Sequence, residues 1–553
     1  MSQHKSRKPI TPKSHSPLLR VKQFSATLIA CAMFALGASS TFAEIGPLSQ
    51  KDRAKEAYAI RKDAAEANVL KKQPSHHDNG DEARYPTRIN SYSKGLPHDA
   101  LGVVAPSAYN ALIHALKTGK NADFEVIPMG GVAKQRNPQA AYAYFLEGRD
   151  PWSLTLAPAP SFASAQQASE SIEVLWQALT RDVPFSQYAN DPLIQQAATD
   201  LSRFSDFRGP KASGQVTSST LFRGIAPGEL SGPYLSQFLW RSVPFGAMTL
   251  VQKYSVPLLG NDHMTNYTEW LAIQSGATPS GITRFNPDPT TRYLRNNRDL
   301  SQYVLRDFNA QPYTNAALII NSFGSGVYAD SNPLNNSVTQ TREPMWGINH
   351  ALDLVSRMAV MSQSVAWYQK WLVHRRARPE VFFGRVHNHL TGAATYPINP
   401  ELFTSPALAL TFNQNASYLL PMATPSGSPL HPSYPAGHAA MAGAATTILK
   451  AFFKGSFAIP NPVQASDDGL TLLAYVGPTL TIEGELNKLA TNISIGRDAA
   501  GVHFRSDSDP VLVLGEEMAI SVLSDLVNTY HEDFEAGFTF NKFDGTSITI
   551  KRR

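Results

Sequence analysis

Residues 430–453 read LHPSYPAGHAAMAGAATTILKAFF, and this stretch says most about the fold and the site it supports. Pro432 and Pro435 form a rigid turn that leads into an alanine-rich helix beginning near His438. The start of a helix presents free N–H groups and the positive end of the helix dipole, which suits an oxyanion. His438 would place a proton donor beside that anion. Because a Pro-x-Gly-His tetrapeptide also occurs by chance, this prediction depends on the segments that accompany it.

Two further segments supply groups of matching chemistry. WYQKWLVHRRARPE, ending at Glu380, contains Lys370 and Arg378, and NISIGRDAAGVHFRSD contains Arg497, followed by His503 and Asp507. Arginine grips tetrahedral oxyanions through two parallel hydrogen bonds. Asp507 is spaced to accept from Nδ1 of His503 and to hold Nε2 toward the anion. The three segments together predict an oxyanion site with two histidines in separate roles.

The apolar periodicity predicts a mainly helical chain. One long amphipathic helix covers 354–372 and places Lys370 about two turns before Arg378. A helix from His438 would end at Gly455. Further helices are predicted within 45–75 and over 231–243, 482–493 and 511–530. Arg497 would lie at the end of the helix that covers 482–493, and Gly496 and Gly501 would allow the turn to His503. A C-terminal strand hairpin is predicted to turn at Asp544-Gly545.

The order of these motifs resembles the superfamily that joins vanadium-dependent haloperoxidases to bacterial acid phosphatases and lipid phosphatases. The finer pattern is similar to the bromoperoxidase branch, through KW-x-VHR-x-x-RPE, HPSYP-x-GHA and GVH-x-R-x-D. SKGLPHDALGVV, NPQAAYAYFLEGRD, LFRGIAPGELSGPYLSQFLW and RYLRNNRDLSQYV also look like that branch. The resemblance runs from about Gly80 to Asp509.

The resemblance implies two four-helix bundles, with a vanadate site in the C-terminal bundle and minor β-hairpins. The corresponding division is an N-terminal helical part at 44–340 and a C-terminal part at 341–553. It also implies a homo-oligomer that uses hydrogen peroxide, bromide or iodide, and small organic acceptors.

Residue roles follow from the same resemblance. His503 would be the axial vanadium ligand, His438 would exchange protons, and Lys370 would polarise peroxide. The other vanadate-binding groups would be Arg378, Arg497 and the amide of Gly437. His431 would be a second-sphere residue typical of bromoperoxidases, because chloroperoxidases carry an aromatic residue there. Trp367 would stand beside the site, although a core position fits its type equally well.

Ala436 departs from the family pattern, which has serine before the Gly-His pair. A serine hydroxyl would donate a hydrogen bond to an equatorial vanadate oxygen, and alanine cannot. We therefore expect weaker vanadate binding with the turn geometry preserved.

The first 43 residues are typical of an export signal. Six basic residues and no acidic residue precede an apolar stretch from Phe24 to Leu36, and small residues lead to Ala43. That stretch is too short to span a bilayer, and no other segment is long enough, so we expect a secreted or periplasmic protein. Lipidation at Cys31, the only cysteine, is less favoured because apolar residues follow it.

The basic character of the chain comes from this leader. The whole chain has 49 Lys+Arg and 44 Asp+Glu, and the leader holds six of the basic residues, so the remainder is nearly neutral. The pI of about 9.0 is therefore no argument for a nucleic-acid partner.

Two other functions fit part of the pattern. A secreted acid phosphatase would use His503 as nucleophile and His438 as acid, but the SIGR stretch lacks the serine that phosphatases place directly before the arginine. A protein that binds an oxyanion without turning it over has Ala436 as its best argument. His374, Arg375 and Arg376 are assigned to structure or solvent.

Overall fold

A computed structural model describes residues 45–279 and 287–553. The predicted leader and Cys31 lie outside the described residues. Backbone contacts divide the chain into two units, Met1–Glu56 and Ala57–Arg553. In the first unit only 45–56 are described, and they include the start of a helix. The expected division at residue 340 stays a prediction.

The described residues are mainly helical, as predicted. The α-helices are α1 Gln50–Val69, α2 Asp81–Arg84, α3 Pro106–Thr118, α4 Asn121–Glu125, α5 Ala165–Leu179, α6 Pro192–Ser202, α7 Tyr267–Gln274, α8 Asn297–Arg306, α9 Gln311–Asn321, α10 Ile348–Tyr368, α11 Pro379–Leu390, α12 Pro406–Asn415, α13 Gly437–Phe452, α14 Ile482–Ala499 and α15 Arg505–Leu526. No helix in 45–279 or 287–553 is long and apolar enough to cross a membrane.

Three antiparallel hairpins complete the described fold. They pair β1 Val243–Phe245 with β2 Met248–Leu250, β3 Val463–Ala465 with β4 Leu472–Ala474, and β5 Phe538–Asn541 with β6 Ser547–Ile550. In the last hairpin Phe538 faces Ile550, and Gly545 turns the chain with φ 81°. The predicted C-terminal hairpin is confirmed.

Helix α13 is the centre of the C-terminal core. Every residue from Ala439 to Phe452 is buried, and the helix packs against α10, α14 and α15. Small residues let α15 approach closely: a Cβ on Gly443 would lie 1.9 Å from the carbonyl oxygen of Leu512, and a Cβ on Gly515 would lie 2.0 Å from that of Ala440. This packing fixes where the N-terminus of α13 points.

The long helix predicted over 354–372 is wrong in its last turn. Helix α10 ends at Tyr368, Gln369–His374 form a π-helical turn, and Arg375 adopts φ 40°. Lys370 and Arg378 are therefore not neighbours on one α-helix, because a change of backbone direction brings them together. Helix α13 also ends at Phe452, before the predicted end at Gly455.

The helix predicted over 231–243 is also wrong. Only a short 3₁₀ turn, Gln237–Leu239, forms before β1 begins. The backbone N–H groups of Ser236 and Gln237 donate to Asn492 Oδ1 (2.8 Å) and Glu485 Oε2 (2.7 Å) on α14. These tertiary hydrogen bonds satisfy backbone N–H groups that would otherwise pair within a helix.

Gly443→Ala is expected to lower the thermal unfolding temperature, because its Cβ would meet the backbone of α15. Overpacking of this kind typically costs about 1–3 kcal/mol. Gly326→Ala is the matched control, since a Cβ added at that position would have nothing within 4 Å. Equal unfolding temperatures for both variants in a calorimetric scan would contradict the packing described above.

Candidate functional site

Segments far apart in the chain converge at the N-terminus of α13. Lys370 comes from the π-helical turn, Arg378 directly precedes α11, and Arg497 lies in the last turn of α14. His503 lies in the short link from α14 to α15. A cleft of about 900 Å³ opens onto this point, with His438, Arg497 and His503 in its lining.

His503 is held by Asp507, as the spacing predicted. Its Nδ1 lies 3.0 Å from Asp507 Oδ2, and because a carboxylate only accepts, Nδ1 carries the proton. Nε2 then accepts from Nη1 of Arg378 at 2.9 Å. Burial and the charge of Arg378 lower the pKa of His503 well below its usual value. The imidazole is therefore neutral, with a lone pair on Nε2, as a metal-ligating histidine requires.

Three buried cations converge on the same point. Arg378 donates to the carbonyls of His431 (3.0 Å) and Val502 (2.6 Å), Arg497 donates to that of Val304 (2.7 Å), and Lys370 donates to those of Pro432 and Ser433 (both 2.7 Å). Among the described residues, none of these three cations forms an ion pair with a carboxylate, and Nε of Arg497 has no hydrogen-bond partner.

These cations also repel one another. Burial, followed by the charge of Arg497, lowers the pKa of Arg378 to about 10. Burial and the charge of Arg378 lower the pKa of Lys370 well below its usual value. Positive groups buried this close together favour the binding of an anion between them.

The N-terminus of α13 adds donors. Ala436 precedes the helix without a side-chain cap, and its own N–H donates to the carbonyl of Asp507 at 2.8 Å. The first N–H groups of the helix, starting with Gly437, therefore have no capping side chain. A Cβ on Gly437 would lie 3.1 Å from the ring of Trp367, so glycine also gives room at this position.

His438 projects into the cleft and contacts a carboxylate. Its Nε2 lies 3.1 Å from Oδ1 of Asp307, which is buried at the end of α8 and whose Oδ2 has no hydrogen-bond partner in the described structure. Asp307 was not predicted from the sequence, because no motif around it gives a signal.

His431 and Trp367 form one wall of the cleft. Their ring centroids are 4.8 Å apart, and Arg378 donates from Nη2 to Nδ1 of His431 at 3.0 Å. Burial and the neighbouring charge of Arg378 lower the pKa of His431 well below its usual value. Trp367 donates from Nε1 to the carbonyl of Arg136 at 2.9 Å and lines the cleft.

A supporting layer holds Asp507. Ser433 donates its hydroxyl to Oδ2, and Arg376 donates from Nη1 to Oδ1 at 2.8 Å. Arg376 was assigned to structure or solvent, and its buried contact with Asp507 is structural. Ser433 was missed, although it lies inside the HPSYP motif. Arg375, also assigned to structure or solvent, forms an ion pair with Glu82 at 2.7 Å.

Comparisons with known proteins identify the family of the chain. Residues 352–532 match a family model described as the second helical-bundle domain of VCPO. A vanadium-dependent bromoperoxidase of Ascophyllum nodosum is 34% identical over 91% of this chain and 93% of its own length. The chain belongs to the vanadium-dependent bromoperoxidase family. A family member from Corallina officinalis is 32% identical over 90% of this chain and 99% of its own length.

A solved structure in the bromoperoxidase family shares the fold. The homohexameric second vanadate-dependent bromoperoxidase (AnII) of Ascophyllum nodosum superposes with a TM-score of 0.87 at 29% identity, and the match covers 92% of each chain. The predicted mainly helical bromoperoxidase fold is therefore confirmed.

Orthophosphate or orthovanadate is expected to raise the thermal unfolding temperature, because either anion would neutralise the three cations. At a ligand concentration of about 100 times Kd the gain is about 2.7 kcal/mol. Arg497→Gln should reduce this gain without destabilising the anion-free protein, since it removes a buried charge that forms no ion pair within residues 45–279 and 287–553.

Arg505→Gln is the matched control. Arg505 forms ion pairs with Glu173 and Asp509, so its loss leaves buried carboxylates unpaired and should destabilise the protein with or without anion. Identical anion-induced shifts in wild type and Arg497→Gln would refute the anion site.

Proposed function

We propose that this protein is a vanadate-dependent haloperoxidase that oxidises bromide or iodide with hydrogen peroxide to hypohalous acid, which halogenates small organic acceptors. The observation that carries the proposal is the convergence on the neutral Nε2 of His503 of three buried cations that form no ion pair with a carboxylate in the described part of the chain. Membership of the bromoperoxidase family supports the same function.

The donor set fits vanadate. Nε2 of His503 supplies one lone pair for the metal, and the cations with the N–H groups of α13 supply donors for its oxygens. Arg378 must give up its contact with Nε2 of His503 when the metal is bound. Bound vanadate supplies a Lewis acid that activates peroxide without changing oxidation state.

The chain itself would hold the anion and move protons. Conversion of peroxide and halide into hypohalous acid and water consumes one proton in each turnover. His438 is the candidate donor, because it lines the cleft and its Nε2 lies beside the Asp307 carboxylate. Two N–H groups of the Lys370 ammonium donate to backbone carbonyls. The third N–H would donate a hydrogen bond to peroxide and polarise it.

His431 supports a preference for bromide and iodide over chloride, since it stands where chloroperoxidases have an aromatic residue. The acid phosphatase and the non-catalytic oxyanion-binding protein are not favoured, because the matching relatives are bromoperoxidases.

We also propose export and self-assembly. The leader at 1–43 supports a secreted or periplasmic protein, and the homohexameric AnII supports a homo-oligomer.

His503→Ala is expected to abolish vanadate-dependent bromination of a phenol dye, because the metal loses its protein ligand. His114→Ala, at an exposed histidine, is the control and should retain activity. Hydrolysis of a phosphate ester, measured on the same proteins, distinguishes the haloperoxidase from the acid phosphatase. Full bromination by the His503 variant would refute the proposed mechanism.

Ala436→Ser is expected to tighten vanadate binding about ten- to a hundredfold, because a hydrogen bond to a charged group contributes roughly 1.5–3 kcal/mol. Apo-enzyme is titrated with vanadate while bromination and intrinsic fluorescence are followed. Equal half-saturation for both forms would mean that residue 436 does not face the anion.

Exported protein is expected to begin near Glu44, and N-terminal sequencing of secreted material tests this. A start at Met1 would contradict the export signal, and a start at Cys31 would contradict the predicted cleavage before Glu44.

A further inference from the structure

An apolar surface covers the hairpin β1–β2 and the loop that follows it. Six large apolar side chains there are between 39% and 57% exposed, namely Phe245, Met248, Leu250, Val251, Leu258 and Leu259, and we call them the hairpin patch. Strand β2 buries none of its residues, and β1 buries only Val243. Soluble monomers rarely expose a contiguous apolar patch larger than a few hundred Å², and larger patches mark interaction sites.

The hairpin patch is almost uncharged. Lys253 is the only charged residue between Val243 and Gly260, in a chain of which 17% is charged. Its ammonium nitrogen lies 5.1 Å from the centroid of the Tyr293 ring. Depletion of charge is typical of the centre of a protein–protein interface, whereas a nucleic acid or an anionic membrane requires a basic surface.

Backbone hydrogen bonds anchor the loop that follows the hairpin. Tyr254 and Arg292 exchange two backbone hydrogen bonds, at 2.7 and 3.0 Å, and Tyr293 donates to the carbonyl of Gly469 at 2.8 Å. This connects the loop to the hairpin β3–β4, where Leu470 and Leu473 are 38% and 49% exposed. The apolar residues therefore stand on a fixed backbone and need little ordering on association.

We propose that the hairpin patch is a contact between two copies of this chain. The inference rests on the homo-oligomer in the proposed function and names the surface that forms it. In a two-fold symmetric contact the same surface of both copies forms the interface. A nearly uncharged apolar patch can pack against the same patch of a second copy without bringing like charges together. Strand β2 also has no strand on its outer side in the described part of the chain, so its edge is open to a second copy.

The test compares two double variants by light scattering after size-exclusion chromatography. Met248→Lys with Leu250→Lys places charge in the hairpin patch. Val338→Lys with Val360→Lys is the matched control, because these residues are 97% and 67% exposed outside the patch. We expect wild type and control to share one mass and the patch variant to fall to a smaller whole multiple of the protomer. Bromination per protomer should be unchanged, since no substituted residue lies in the cleft.

Cross-linking gives a second measurement. Because Cys31 is the only cysteine, Cys31→Ser provides a background for single cysteines. With a short bis-maleimide, Met248→Cys should give a covalent dimer and Val338→Cys should not.

The outcomes separate the two proposals. A monomeric wild type would overturn both the homo-oligomer and the hairpin contact. An oligomeric wild type with an unchanged mass for the lysine variant and no cross-link at residue 248 would overturn the hairpin contact alone.

Discussion

The buried carboxylate of Asp507 holds together parts of the chain that are far apart in sequence. Its side chain accepts hydrogen bonds from His503, Ser433 and Arg376, and its backbone carbonyl accepts the N–H of Ala436. One residue thereby orients the candidate ligand and ties the proline-rich turn to the start of α15. Because these groups are buried, each hydrogen bond is electrostatically stronger than in water, and loss of the carboxylate would leave several donors unpaired.

The buried cations fall into two groups with different physical roles. Arg376 and Arg505 form buried ion pairs with Asp507 and Glu173, so their charges are neutralised within the protein. Lys370, Arg378 and Arg497 donate to carbonyl oxygens and repel one another. Carbonyls satisfy the hydrogen-bonding capacity of a cation but not its charge, so the second group remains available to an anion.

The close approach of α13 and α15 connects the core to the site. Gly443 and Gly515 remove the side chains that would separate the two helices. Asp507 on α15 can then reach the residue that precedes α13. The position of the candidate site therefore depends on packing several turns away from it.

Local sequence patterns were sufficient for the helical fold class and the C-terminal hairpin, and they named the cations and histidines that the fold brings to the N-terminus of α13. Helical periodicity and turn residues act over a few neighbours, and the chemistry of Arg, Lys and His does not depend on the fold. The i to i+4 spacing of His503 and Asp507 is also local, because His503 lies just before α15 and Asp507 lies in its first turn. The departure at Ala436 is likewise visible in the sequence.

Only the tertiary structure decided how these residues meet. Lys370 in the π-helical turn donates to the carbonyls of Pro432 and Ser433, and the N–H groups of Ser236 and Gln237 donate to side chains on α14. Local periodicity does not encode such distant partners. The contact between His438 and Asp307 joins residues 131 positions apart, and the burial of Arg376 depends on Asp507 and Gln167. The sequence by itself thus determined which chemical groups are present and which local elements carry them. Their convergence was decided by long-range packing, because the free energy of such contacts depends on burial that exists only in the folded chain.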